Sequence, residues 1–188
     1  MNTKRVFDFI VATSATAVFC VPMALVSVAV LLSSKGPILY WSGRVGRGNV
    51  IFQMPKFRTM KIGAPVVATH LLGNPEAYLT PIGRFLRKSS LDELPQLYCV
   101  IIGHMSLVGP RPALFNQYDL IEARTERNIH TLLPGLTGWA QVNGRDELTI
   151  ERKVDLDLEY LNKMGFFFDL RILFMTVKKV IFGSGVNH

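Results

Sequence analysis

A run of apolar residues from Phe9 to Leu32 constrains this chain more than any other stretch. It is interrupted only by Thr13, Ser14, Thr16, Ser27 and, near its middle, Pro22. A run of this length can cross a bilayer as one straight helix, and that is the simplest expectation. A cleaved leader does not fit, because no small-x-small cleavage pattern follows the run. The alternative is a re-entrant helix broken at Pro22. Each arm of about a dozen residues would rise about 18 Å, enough for one leaflet and too short for two. Lys4 and Arg5 precede the run, and Lys35, Arg44 and Arg47 follow it. The preference of basic residues for the cytoplasmic side places both ends on one face of the membrane. A break at Pro22 frees a backbone carbonyl in hydrocarbon, which the protein must satisfy internally.

The remaining composition sharpens this picture. A length of 188 residues suits one domain with an appendage, and the net charge of +7 is unevenly spread. Residues 1–91 carry 11 Lys and Arg against Asp8 and Glu76, whereas residues 92–188 carry 10 against 12 acids. A basic half that also holds the apolar run points to an anionic membrane surface or to phosphate-bearing ligands. Cys20 and Cys99 form no spaced framework, which suits a reducing compartment. The four histidines are scattered without metal-ligand spacing, which argues against a zinc site.

Beyond Lys35 the chain changes character. Ile38–Trp41 and Val50–Phe52 read as short strands around the glycine-rich basic stretch Gly43–Gly48, which fits neither a dinucleotide nor a Walker fingerprint and is expected to turn a hairpin, with phosphate contact as the alternative. Alternation then sets Lys56 and Arg58 on one face and Phe57 on the other. Residues 62–80 read as irregular, and Thr80-Pro81 opens a short helix through Lys88. Ser90 followed by Glu93 is a capping-box pattern, so a helix is expected from Asp92 to Ile102, ending at Gly103. Both Asp92 and Glu93 then lie at its positive end, where free N–H groups could also hold phosphate. Simple capping is the plainer alternative for the pair.

Met105–Val108 is expected to be extended. Pro110 and Pro112 hold Arg111 between them on a stiff backbone, which suits a bidentate phosphate ligand and equally an ordinary turn. A polar helix is expected over 113–130, then a long loop from Pro134 to Arg145, and a helix from Thr149 to Met164 with Ile150, Val154, Leu158 and Leu161 on one stripe. Asp157 falls beside that stripe and needs an arginine partner. The last helix, Asp169 to Phe182, has an apolar face and charges elsewhere, so it either joins the core or lies on the membrane surface.

Several of these segments together resemble the bacterial sugar transferases, the monotopic polyprenyl-phosphate phosphoglycosyl transferases. They are Lys4–Asp8, Lys56–Met60, Ser90–Gln96, Gly103 with Met105-Ser106, Gly109–Pro112, Pro134–Gly138 and Gln141–Arg145. The resemblance covers essentially the whole chain. It implies an α+β, mainly helical fold: a Pro-broken re-entrant membrane helix over residues 1–34, then a compact cytoplasmic catalytic domain over 35–188 with interfacial amphipathic helices and a small β-hairpin. It also implies a place on the cytoplasmic face of a bacterial inner membrane and leaves room for a homodimer. Two departures stand out: Val21 precedes Pro22 where the family commonly has serine, and Ser42 stands where glutamine is frequent.

The reaction implied is transfer of a sugar 1-phosphate from a UDP-sugar to undecaprenyl phosphate, with release of UMP, to begin a glycan. Asp92 would be the nucleophile and a ligand of Mg²⁺, with Glu93 assisting. Arg111, Lys56, Arg58, Arg87 and Arg145 would contact phosphate and nucleotide, with Asp157, Pro110, Pro112 and Ser90 in support. The competing reading is a non-catalytic, membrane-anchored module that binds anionic lipid or nucleic acid through its basic half. Nucleic acid is disfavoured, because aromatic side chains do not interleave with the basic ones as base stacking requires.

Overall fold

In the computed structural model, residues 3–67, 74–144 and 147–182 are described. The first element is one long helix, α1 (Thr3–Ser33). It does not end at Pro22, so the expected Val21–Pro22 break is not an interruption of the helix. Apolar side chains all round favour helix on both sides of the proline, and the hydroxyls of Thr16 and Ser27 bond back to the carbonyls of Ala12 and Met23 within their own turns.

Among the described residues most of α1 has no partner: Val18, Val21, Leu25 and Leu32 are all more than 60% exposed. Only a thin face is buried, and it is tied down at both ends. Near the N-terminus, Lys4 pairs with Asp169 at 2.5 Å and the Arg5 guanidinium donates to the carbonyls of Val100 and Ile101. Asp8, fully buried, accepts from Ser106 Oγ at 2.7 Å and from the Leu107 N–H. At the far end, Arg58 donates to the carbonyls of Ser34 and Lys35 at 2.8 and 2.5 Å and to Ser34 Oγ.

Strands β1 (Leu39–Val45) and β2 (Ile51–Phe57) pair antiparallel, with Tyr40 opposite Lys56 and Arg44 opposite Phe52. The strands are longer than the sequence suggested. Gly43–Val45 belong to β1, and the reversal runs from Gly46 to Val50, with the Gly46 N–H bonded to the Val50 carbonyl at 2.8 Å. After α2 (Gly83–Lys88), a six-residue 3₁₀ segment, Leu91–Gln96, leads directly into α3 (Leu97–Ile102), which stops at Gly103 with φ 90°. Strand β3 (Ser106–Val108) follows.

The expected helix over 113–130 is shorter, α4 (Tyr118–Glu126), with a 3₁₀ turn at Ile129–Thr131. The expected loop from Pro134 is instead ordered into β4 (Gly135–Thr137), parallel to β3, and the short helix α5 (Trp139–Val142). The reason is steric. A Cβ on Gly109, Gly135 or Gly138 would collide with the backbone facing it, so these three glycines let the two segments approach main chain to main chain. Helices α6 (Ile150–Lys163), capped by Thr149, and α7 (Phe166–Phe182) are the last described elements. The buried face of α6 is centred on Val154, Leu156, Asp157 and Tyr160, while Ile150 is exposed.

Three core clusters result. Ala12 of α1 joins Leu97, Val100, Met105, Tyr160 and Ile172; Val26 and Val30 join Phe57 and Leu86; Ala113, Leu120, Ile129 and Val154 form the third. The two halves of α1 therefore seat in two different clusters of the same body. Helix α7 buries Ile172 but leaves Phe167, Phe174, Val177 and Val180 exposed, and Phe166 meets Phe7 of α1 edge-on at 5.6 Å. The exposed apolar faces of α1 and α7 are thus neighbours, and such a surface suits lipid.

Candidate active site

The acid pair lies in the 3₁₀ segment, and the turn before it is not the expected cap. Ser90 sits in the left-handed region at φ 56° and its side chain makes no capping bond; instead its carbonyl accepts the Glu93 N–H at 3.2 Å. A left-handed residue reverses the chain sharply after α2. That reversal brings the acid pair against the hairpin, so tertiary packing orients Asp92.

Asp92 is 7% exposed and Glu93 is half-buried. Arg111 donates to Glu93 Oε1 at 2.6 Å, and Lys56 Nζ lies 3.7 Å from the same oxygen. Arg87 is held by its Nε on Thr59 Oγ1 at 3.1 Å, and its charge acts on both acids. Burial pushes the Asp92 carboxyl up to about 6, helped by the Glu93 charge and opposed by Lys56, Arg87 and Arg111. Burial likewise brings Lys56 down to about 8, against the pull of Glu93 and with the help of Arg111 and Arg44. At neutral pH the site therefore holds an ionised Asp92 and a largely protonated Lys56, each close to titrating.

Arg111 stands on an immobilised backbone. The Pro110 carbonyl accepts from the Gly135 N–H at 2.8 Å, the Arg111 carbonyl from Arg124 Nη1 at 2.8 Å, and the Pro112 carbonyl from Arg44 Nη1 at 3.1 Å. Asp157 has the arginine partner its position demanded: Arg124 grips its Oδ2 through Nη2 at 2.6 Å and Nε at 3.0 Å. Burial raises Asp157 and the Arg124 charge opposes it. The chain of contacts runs from Asp157 through Arg124 to the main chain of Arg111, and from the Arg111 side chain to Glu93.

Asp92, Glu93, Lys56, Arg87 and Arg111 line one cavity of about 530 Å³, closed by β1, β2 and residues 59–67. That volume falls in the range of small-ligand sites. Arg58 shares the wall, but its guanidinium is committed to the end of α1, so it serves here as a tie for the helix. Arg145 lies outside the described residues, as do residues 68–73 of the irregular stretch. Sequence reading passed over Arg44, Arg124 and Thr59. The hairpin register would have found the first, since Tyr40, Ser42 and Arg44 share a face with Lys56 once the strands are paired. Arg124 and Thr59 left no local signal.

Comparison with known proteins gives the family. Residues 1–183 match the family described as bacterial sugar transferase. An uncharacterized sugar transferase, EpsL, of Bacillus subtilis is 39% identical over the whole of this chain and 92% of its own length. The UDP-glucose:undecaprenyl-phosphate glucose-1-phosphate transferase of Escherichia coli is 40% identical over 94% of this chain but only 39% of its own length. The exopolysaccharide production protein ExoY of Rhizobium meliloti is 34% identical over 97% of this chain and 87% of its own. The chain belongs to the bacterial sugar transferase family.

Proposed function

We propose that this member of the bacterial sugar transferase family moves a sugar 1-phosphate from a UDP-sugar to undecaprenyl phosphate by way of a covalent intermediate on Asp92. The observation that carries the proposal is a buried, ionised carboxylate surrounded by Lys56, Arg87 and Arg111 in a cavity large enough for a nucleoside diphosphate. Relatives named as undecaprenyl-phosphate glucose phosphotransferases supply the donor and acceptor classes. A non-catalytic binding module gives no reason to bury Asp92 in this way.

In the first step an Asp92 oxygen attacks the sugar-side phosphorus. The bond from that phosphorus to the bridging oxygen breaks, and UMP leaves with the electron pair. In the second step an oxygen of the acceptor phosphate attacks the same phosphorus, the bond to Asp92 breaks, and a diphosphate-linked sugar leaves while the carboxylate is restored. Lys56, Arg87 and Arg111 neutralise the phosphate oxygens as charge moves, which is the main catalytic contribution in phosphoryl transfer. Glu93, by holding Arg111 and Lys56, fixes where those charges sit.

Among the described residues no three metal-ligating side chains converge. One carboxylate plus substrate phosphates is how Mg²⁺ is usually held, so Asp92 fits as the protein ligand of a cation arriving with the diphosphate. Bound there, Mg²⁺ would reduce the repulsion between an anionic nucleophile and an anionic substrate.

The same reading sets the chain on the cytoplasmic face of the membrane with both ends of α1 on that one side. The contacts of Lys4, Arg5 and Asp8 at one end and Arg58 at the other support it, because both ends of α1 are tied to one body. The decisive experiment incubates the purified chain with a UDP-sugar and looks by mass spectrometry for a phosphosugar adduct on the peptide containing Asp92. An adduct that undecaprenyl phosphate then discharges is expected; sustained turnover by Asp92→Asn would refute the mechanism.

A further inference from the structure

A second cavity, of about 360 Å³, opens on the other side of the Glu93–Arg111 ion pair. Glu93 and Arg111 line both cavities, so this pair is the partition between them. The walls of the second are apolar and come mainly from the two lipid-suited helices and the body between them: Phe19 of α1, Leu173, Val177 and Val180 of α7, with Leu97 and Leu136. Its polar lining includes Lys88, Ser90 and Lys179 alongside Arg111. Among the described residues neither Lys88 nor Lys179 has a carboxylate partner. Lys179 is part-buried, and a lysine stem can cover apolar surface while its head stays free for charge.

A groove with greasy walls, open toward the exposed faces of α1 and α7 and carrying cations where it meets the acid pair, complements a long apolar chain with one anionic end. A water-soluble nucleotide gains nothing from such walls. We propose that the groove between α1 and α7 holds the polyprenyl phosphate acceptor, its chain against Phe19, Leu173 and Val177 and its phosphate received by Lys88 and Lys179 before it reaches the Glu93–Arg111 partition.

The assignment rests on the transfer reaction proposed above and adds a division of labour: the donor enters on the hairpin side and the acceptor on the membrane side. Among the described residues of the phosphate-contact set, Arg111 alone lines both cavities, so it can hold the phosphosugar in the first step and meet the incoming phosphate in the second. The acceptor need not enter the donor cavity, so UMP can leave without crossing its path.

The two half-reactions separate the claims. The full chain in lipid nanodiscs is mixed first with a UDP-sugar alone, reading stoichiometric UMP release, and then with undecaprenyl phosphate, reading discharge of the adduct. For Val177→Trp, and for Lys88→Gln combined with Lys179→Gln, the first step should stay within about twofold of the unaltered chain, as expected of side chains outside the donor cavity. The lysine double variant should need roughly tenfold more acceptor for half-maximal discharge, the loss expected for a charge-assisted contact. Val177→Trp should slow discharge by a similar factor even at high acceptor. Added phosphatidylglycerol should compete only weakly; competition equal to that of undecaprenyl phosphate would reduce the groove to general lipid contact and overturn the assignment. Normal discharge in both variants would also overturn it, as would equal loss of both steps. No UMP release from the unaltered chain would refute the transfer reaction itself, a distinct failure.

Discussion

Asp92→Asn should abolish transfer and at the same time stabilise the chain. The folded Asp92 keeps its proton up to about 6, whereas an unfolded aspartate releases it near 3.8. Between those values the folded state binds more protons than the unfolded one, so this group's contribution to stability falls as pH rises from about 4 to 6 and stays lost above that. Two units correspond to about 3 kcal/mol. Because Asp92 shares its environment with Glu93, about 2–3 kcal/mol at pH 7 is the amount a neutral, same-shaped asparagine should return. For a chain of this size that is a rise in Tm of roughly 4–12 °C. The assay is thermal unfolding of both forms in one detergent across pH 4–8. The gap should be widest above pH 6 and close toward pH 4. A variant less stable than the parent at pH 7, or a gap independent of pH, would refute the claim that burial of this charge is held against its own desolvation.

Other outcomes follow from the same geometry. The kcat/KM for UDP-sugar should be bell-shaped, falling about tenfold per pH unit below about 6 as Asp92 protonates and again above about 8 as Lys56 loses its charge. Lys56→Arg should remove the alkaline limb and leave the acid one, and an unchanged alkaline limb would clear Lys56 of that role. Asp157→Asn leaves Arg124 without its counter-charge in a buried place, so denaturant unfolding should show a loss of about 3 kcal/mol. KM for the donor should rise in that variant, because Arg124 also holds the Arg111 main chain. Gly138→Ala would drive a methyl into the Gly109 carbonyl, and a loss of roughly 2 kcal/mol is expected by the same assay; a neutral effect would mean that β4 can move away from β3 at little cost.

Local patterns made many features legible in advance. Apolar length gave α1, two short strands around a glycine-rich stretch gave the hairpin, alternation gave the face of Lys56, the helix expected from Thr149 matches α6, and a carboxylate near an apolar stripe announced that Asp157 would have an arginine. The misses share a cause. The Ser90 capping box is a local motif, but here the main chain at Ser90 takes a left-handed turn that swings the acid pair toward β2. Arg58 was expected at phosphate, and only the fold shows that its guanidinium also ties the carbonyls of Ser34 and Lys35 at the end of α1. The segment from Pro134 looked like a loop because its glycines weaken any local preference. They are needed where β3, β4 and Gly109 meet, a contact between residues some 26 positions apart that no local window contains.

The sequence alone determined that this chain has one long apolar helix beside a basic half, and it singled out an Asp-Glu pair and a proline-flanked arginine as the expected chemical centre. Those are statements about composition and neighbours along the chain. Only the tertiary structure decided that both ends of α1 are tied to one body, that Glu93 and Arg111 form the wall between a polar cavity and an apolar groove, and that Asp92 is buried enough to titrate near neutrality. Desolvation and charge coupling act through space, among groups that folding brings together from β2, α2, the 3₁₀ segment and the loop after β3.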